Sequence, residues 1–393
     1  MSRYRLAPTP AQVAALLEHC GHARFVWNLA LEQWSMWRPG RRSQPPRFVE
    51  QARQLTGARE DNGWLRAGSQ TVQQQALRDF DQAVTGFFAG THRRPTWRKA
   101  GRHEGFRIVG RQASRVERLS RKWGQVLVPK VGWIKFRLSR QLPEAKSYRV
   151  TRDSAGRWHL AFAVAPEPIP PPGTGEIVGV DRGVVVSAAL STGEFLSCPG
   201  LTPGEKTRLL RLQRGFARAQ RGSNRRVRIR TAIAKLKARE TDRRKDWVEQ
   251  TSTALARRFD VIRVEDLKIR NMTRSAKGTT AVPGRNVRQK AGLNRGILAS
   301  GWGRLVQRLK DKAAGRVEKV PAANTSRTCS RCGTTDKEAR ESQAVFLCRS
   351  CGYTANAEVN AAINIAAGRA VTARGAVASL SALKREPQLT TSA

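Results

Sequence analysis

Residues 177–184 read Ile-Val-Gly-Val-Asp-Arg-Gly-Val. The run Ile177 to Val180 is short and apolar, the pattern of a buried strand, and it stops on an acid, Asp181. Val184 to Leu190 reads as a second buried strand joined closely to the first, with Ser191-Thr192-Gly193 as the next turn. A long basic helical segment from about Lys206 to Arg258 leads to another short apolar run, Val261 to Val264, which again stops on an acid, Glu265. Strand pair, helix, strand is an α/β arrangement. Carboxylates at strand ends put hard oxygen ligands beside a low-dielectric core, as a divalent cation requires. An acid in that position is also an ordinary cap or salt-bridge partner, so neither residue decides the chemistry alone.

Upstream, Pro166, Pro168, Pro170, Pro171 and Pro172 form a stiff linker, and the main boundary falls there, at 166–175. Before it, Thr9-Pro10-Ala11-Gln12 is a helix start with the residues of a capping box. One helix is expected through Cys20 and a second after Gly21, with Val26, Ala30, Leu31 and Trp34 at helical spacing. A third is expected from Ser69 to Phe88, with Val72, Ala76, Phe80, Ala83, Val84 and Phe87 on one stripe. From Gly105 to Val164 the pattern changes to short β-like runs: Phe106–Val109, Val126–Val128, Trp133–Phe136, Tyr148–Thr151 and Trp158–Val164. The turn Asp153-Ser154-Ala155-Gly156 joins the last two as a hairpin. A small β-barrel interrupted by a helical insertion accounts for this half. Trp27, Trp34, Trp133 and Trp158 lie in apolar patterns and read as core.

The 393 residues include 73 Lys and Arg against 30 Asp and Glu, a formal charge of +43, and a globular chain this basic has a polyanion as its expected partner. A hydrophobic content of 39% is enough for true cores and excludes a tail that folds only on its target. No apolar run approaches the ~18 residues of a membrane span, and no signal-peptide stretch opens the chain, so a cytoplasmic, nucleoid-associated location is expected. No Gly-rich phosphate motif indicates a nucleotide cofactor, and the five histidines show no ligand or catalytic spacing.

Cys329, Cys332, Cys348 and Cys351 form C-x2-C-x15-C-x2-C, the spacing of a tetrahedral structural zinc site. Between Arg208 and Lys245 the chain places Arg211, Arg214, Arg218, Arg221, Arg225, Arg226, Arg228, Arg230, Lys235 and Lys237 among few acids. A charge run is commonly just a solvated face, but repulsion among this many cations destabilises a bare helix, which favours a phosphate backbone as partner. Trp97, among Arg93, Arg94, Arg98 and Lys99, is the candidate for stacking on a base. Thr273 to Arg295 reads either as a mobile lid, with Arg295 at its basic end, or as plain disorder. The Ala, Ser and Thr-rich stretch 369–393 reads as a disordered tail.

The order of IVGVDRGV (177–184), VEDLKIRNM (264–272), the knuckle opened by Asn324-Thr325-Ser326, and VNAAINI (359–365) resembles the TnpB (OrfB) proteins of insertion sequences, relatives of compact type V CRISPR effectors. Tyr4-Arg5-Leu6, Pro8-Thr9-Pro10 and Arg24-Phe25-Val26-Trp27-Asn28 resemble the start of that family, and the likeness runs to about Gly368. It implies a multidomain α/β plus β-barrel chain. Residues 1–165 would be a β-barrel (wedge) domain with a helical recognition insertion at about 10–100. Residues 176–368 would be a ribonuclease-H-like (RuvC) nuclease domain with a zinc-binding insertion at about 324–355.

The implied activity is an RNA-guided DNA endonuclease, with guide RNA and target double-stranded DNA as partners, two catalytic Mg²⁺ ions and one structural Zn²⁺. Asp181 matches the first catalytic aspartate and Glu265 the glutamate. The third position, usually Asp two residues before Asn-Ala-Ala, is here Glu358, whose extra methylene moves the carboxylate by more than ~1 Å. A weakened, repressor-like RNA-guided binder is therefore one alternative, and a guide-free transposase using the same three acids is another. Ser69, Gln70, Gln73 and Gln74 resemble the family's reader of a short flanking DNA motif. Glutamine suits adenine in the major groove, and a polar helix face is the competing reading.

Overall fold

The structure is a computed structural model and describes residues 2–37, 44–144, 146–164, 167–342 and 344–368. The stretch 369–393 and Pro166 of the linker lie outside them. The chain divides into two compact units, residues 1–166 with 202–239, and residues 167–201 with 240–393.

The first unit is mixed α/β. Strand β1 (Ser2–Leu6) precedes four helices, α1 (Pro10–Met36), α2 (Phe48–Asp61), α3 (Gly63–Ala67) and α4 (Gln70–Phe88). Strands β2 (Gly105–Val109), β3 (Val116–Arg118), β4 (Trp123–Val128), β5 (Gly132–Arg137), β6 (Ser147–Arg152) and β7 (Trp158–Phe162) follow. All seven strands pair antiparallel in one curled sheet of order β2-β6-β7-β1-β5-β4-β3. The sheet's inner residues, among them Tyr4, Phe106, Ile134, Phe136, Tyr148 and Leu160, share a core with Leu16, Val26, Val72 and Phe80 of the helices.

Two expectations change here. The helices expected on either side of Gly21 are one, α1, started by a capping box in which Thr9 and Gln12 bond each other's backbone N–H. The buried stripe Leu16, Cys20, Ala23, Val26, Trp27 and Ala30 runs through Gly21, and its burial outweighs the ~1 kcal/mol that glycine costs inside a helix. Trp27, Trp34 and Trp158 are buried as expected, but Trp133 is 38% exposed. Strand β5 alternates, with Ile134 and Phe136 inward and Trp133, Lys135 and Arg137 outward.

The basic segment expected as one helix is a pair, α5 (Pro203–Arg218) and α6 (Asn224–Arg258), separated by a turn in which Gly222 adopts φ +83°. A second capping box, Thr202 with Glu205, starts α5.

The second unit holds a five-stranded sheet of β8 (Ile177–Asp181), β9 (Ala188–Leu190), β10 (Phe195–Leu196), β11 (Val261–Glu265) and β12 (Val317–Val320), in the order β10-β9-β8-β11-β12. Strands β8, β11 and β12 are parallel, β9 runs antiparallel to β8, and β10, antiparallel to β9, returns to the direction of β8. The second strand is shorter than the expected Val184–Leu190. Val184 and Val185 are exposed in the loop that reverses the chain, and only Ala188–Leu190 pairs. Helices α7 (Ile269–Met272), α8 (Val287–Ala299), α9 (Trp302–Lys312) and α10 (Ala357–Ala366), with the hairpin β13 (Val345–Leu347) and β14 (Thr354–Asn356), complete it. The expected lid segment thus contains most of a helix, α8. Val178, Val180, Leu190, Val248, Leu255, Ile262, Val264, Leu305 and Leu309 form the core. Helix α10 lies directly on β8 at Gly179, where an added Cβ would collide with the Ala362 carbonyl and the Ala366 amide.

Candidate acidic centre and metal knuckle

Asp181 and Glu265 are the last residues of the neighbouring parallel strands β8 and β11, whose register pairs Val180 with Val264. The two carboxyl-bearing strand ends therefore lie side by side. Glu358 is the second residue of α10, started by Asn356, whose Oδ1 accepts the N–H groups of Glu358 (3.0 Å) and Val359 (3.3 Å). Packing of α10 on β8 brings this end of the helix to the strand ends. A methyl placed on Gly183 would stand 3.2 Å from Glu358 Oε1.

The other two acids act on Asp181. Burial and then the charges of Glu265 and Glu358 push the Asp181 carboxyl up to about 7, against the pull of Arg340 and the Arg182 backbone N–H. Burial also raises Glu358, with Arg340 opposing. Glu265 and Glu358 are both buried. The Thr325 hydroxyl donates to Glu265 Oε1 at 2.7 Å, and buried Arg182 bonds the Glu265 carbonyl through Nη2. Buried carboxylates with hard oxygen donors are the chemical type that a divalent cation takes, although their oxygens do not form one close group of ligand atoms. They are not as tightly grouped as the thiols described next.

The four cysteines converge, with all four Sγ atoms within 4.8 Å of one another, the only such group among the described residues. The Cys329–Cys351 and Cys332–Cys348 sulfurs are 3.8 and 3.6 Å apart. A tetrahedron of sulfurs ~2.3 Å from a zinc ion has edges of about 3.8 Å, so the thiols fit a structural zinc site. Turns at Gly333 and Gly352, each with positive φ, let the two C-x2-C arms curl around that point. Phe346 and Ala339 pack beneath it.

Arg211, Arg214, Arg218, Arg221, Arg225, Arg228, Arg230, Lys235 and Lys237 are exposed on α5, α6 and their turn, as is Arg295 on α8. Arg208, Arg228, Lys235 and Arg239 rim a groove of about 400 Å³ floored by Val227, Ala232 and Leu236. Arg226 is different: its guanidinium bonds the Phe216 and Ala219 carbonyls at 2.8 and 2.7 Å and stacks on the Phe216 ring at 3.9 Å, which commits it to the helix turn. Trp97 is half exposed.

Of the residues matched to flanking-motif reading, Gln70 is exposed and Gln74 half-buried. Gln73 cannot read a base. It is wholly buried, and its amide bonds His22 Nδ1 and the Leu65 carbonyl, each at 2.9 Å, and accepts from Arg59. Ser69 is buried beside it at the N-cap of α4. The sequence reading missed three features. Arg340, between the cysteine pairs, acts on the acidic centre. Thr325 holds Glu265. Trp123 and Trp133 stand exposed on one sheet face with Lys135 and Arg137. Only the strand alternation, which gives β5 a polar face, could have flagged the last.

Together the fold and sites define a strongly basic, two-unit α/β protein with buried acids at two strand ends and a helix start, and a four-cysteine knuckle. The chain belongs to the TnpB (OrfB) family of insertion-sequence proteins. Residues 159–276 match the family described as "Probable transposase" (OrfB_IS605), residues 2–41 its "Helix-turn-helix domain", and residues 302–365 the "Cas12f1-like, TNB domain". The "Putative RNA-guided DNA endonuclease InsQ" of Escherichia coli (strain K12) is 34% identical, over 98% of this chain and 96% of the relative. The "Putative RNA-guided DNA endonuclease" of Streptomyces pristinaespiralis is 31% identical, over 99% and 96%. The protein in the "Cryo-EM structure of the Cas12f1-sgRNA-target DNA complex" shares the fold, with a TM-score of 0.55 at 14% identity, over 91% of this chain and 82% of that one. Among the described residues no helix is long and apolar enough to cross a membrane.

Proposed function

We propose that this protein is an RNA-guided, divalent-metal-dependent DNA endonuclease that cuts target DNA beside a short flanking motif. The observation that carries the reading is the meeting of Asp181, Glu265 and Glu358 from two strand ends and a helix start, with the Asp181 carboxyl raised to about 7 by burial and the other two acids. The sheet order β10-β9-β8-β11-β12, with four strands in one direction and β9 alone reversed, supports a ribonuclease-H-like (RuvC) lobe. The curled sheet with helices α1 to α4 inserted after β1 supports a wedge barrel with a recognition insertion.

Asp181, Glu265 and Glu358 would hold two Mg²⁺ ions, which when bound supply a nucleophilic hydroxide and charge neutralisation at the scissile phosphate. The chain's own residues prepare that centre. Arg182 ties the ends of β8 and β11 together through the Glu265 carbonyl. Thr325 holds Glu265. Arg340 favours the ionised forms of Asp181 and Glu358, and its guanidinium is suited to a phosphate oxygen. The exposed arginines of α5 and α6 grip the RNA–DNA heteroduplex by its backbone, which leaves sequence reading to base pairing. The cysteine knuckle holds a structural Zn²⁺ and does no chemistry.

Sequencing the RNA that copurifies with the full-length protein, followed by cleavage of a matched target with wild type and Asp181→Ala, tests the reading. A fixed scaffold joined to a variable segment, with cutting lost in Asp181→Ala, is expected. RNA-free protein that joins DNA ends would replace it with the transposase reading.

A further inference from the structure

The knuckle and the acidic centre are linked by a chain of buried hydrogen bonds that neither metal site alone requires. Thr325 is 3% exposed, and its hydroxyl has one proton to give. The Glu265 Oε1 atom lies 2.7 Å away and the Ala322 carbonyl 3.4 Å, so the proton goes to Glu265. That bond fixes the rotation of the carboxylate and leaves Oε2 as its free oxygen.

Thr325 is itself held from α10. Asn364 Nδ2 donates to the Thr325 carbonyl at 3.0 Å and the Thr328 carbonyl at 2.7 Å. One turn earlier, Asn360 Nδ2 donates to the same Thr328 carbonyl at 2.8 Å, while its Oδ1 accepts the Ser330 N–H at 2.9 Å. Both asparagines are essentially fully buried, where an amide is costly unless bonded, and their side-chain bonds go to residues 325–330, with Asn364 Oδ1 left without a partner among the described residues. That segment contains Cys329, and α10 also carries Glu358.

We propose that Thr325 is a positioning residue for Glu265, and that Asn360 and Asn364 clamp the root of the knuckle to α10 so that the state of the cysteine site sets the geometry of the acidic centre. Zinc is thereby linked to the affinity of the acids for the second metal. The inference rests on the nuclease reading only in taking that metal to serve cleavage; the coupling itself is a matter of binding.

The test is Mn²⁺ binding to full-length protein with its copurified RNA, followed by electron paramagnetic resonance, in wild type, Thr325→Val, Thr325→Ser, Cys332→Ser and the double variant Cys332→Ser/Thr325→Val. Zinc content and melting temperature are measured on each. Loss of a partner that orients a metal ligand typically costs 10–100-fold in affinity, so Thr325→Val is expected to weaken Mn²⁺ by about 10-fold or more while keeping its zinc. Thr325→Ser, which keeps the hydroxyl, is expected within about threefold of wild type. Cys332→Ser is expected to lose zinc and weaken Mn²⁺ similarly, and the double variant to be little worse than either single one. Wild-type Mn²⁺ affinity in Thr325→Val, or full additivity in the double variant, overturns the proposal. Failure of the wild type to cut a guided target while these affinities behave as stated would reject the nuclease reading and leave the coupling standing.

Discussion

The Glu358 carboxylate occupies the space in front of Gly183: a methyl on Gly183 would lie 3.2 Å from Glu358 Oε1 and 2.7 Å from the Val186 carbonyl. The glycine therefore leaves room for a glutamate where the family usually has the shorter aspartate. Gly183→Ala collides first with the Val186 carbonyl and also crowds Glu358, so it is expected to strain this turn and slow cleavage by about 10-fold, since ~1 Å misplacements cost ~10²-fold. Single-turnover cleavage at saturating Mg²⁺ measures it.

Glu358→Asp shortens the reach of an acid whose surroundings fit the longer side chain, so it is expected to lower cleavage by about 10-fold with guided binding unchanged. A rise in cleavage in the same assay would mean that the glutamate weakens this enzyme.

The pH dependence follows from Asp181. Its carboxyl titrates near 7 in the metal-free protein, above the ~3.9 of an unfolded aspartate. The folded state then holds the extra proton between about pH 4 and 7, so the contribution of this group to stability is greatest below that window and falls as pH rises through it. Metal binding must displace the proton. Apparent Mg²⁺ affinity is expected to drop as pH falls below about 7, with proton release on binding, and calorimetry in buffers of different ionisation enthalpy reads both. Asp181→Asn should abolish the release.

Gly179→Ala drives a methyl into the backbone of α10. A core overpacked against main chain loses about 1–3 kcal/mol, and this site is expected at the upper end. Chemical denaturation of the second unit should show it, accompanied by loss of cutting.

Exposed and committed arginines should separate. Replacing Arg211, Arg214 and Arg218 together by Ala is expected to weaken nucleic-acid binding uniformly across sequences and to flatten its salt dependence by about one unit of slope for each phosphate no longer held. Arg226→Ala is expected to destabilise the turn between α5 and α6, with a drop in melting temperature that the triple variant lacks.

The ends of β8 and β11 are legible in the sequence because a short apolar run closed by an acid leaves few alternatives, and the cysteine spacing is equally direct. The break at Gly222 is marked in the sequence by Gly222-Ser223-Asn224, but the surrounding arginines draw the reading to charge and away from that turn signal. Gln73 misleads for another reason: helical periodicity marks the apolar stripe but not that His22 and Arg59, distant in sequence, wall in an amide. Trp133 misleads in the opposite sense, because an aromatic within a short β run reads as core unless the two-residue alternation is followed. Arg340 and Thr325 leave no local signal, since their partners lie on other elements.

Glu358 is reached only after the whole cysteine segment has been made, and α10 must then settle on Gly179 before the third acid stands beside Asp181. A polypeptide still emerging from the ribosome can thus assemble β8 beside β11 and expose its basic helices to nucleic acid while lacking the last carboxylate. In chain order, the third carboxylate is therefore the last part of the acidic centre to be put in place.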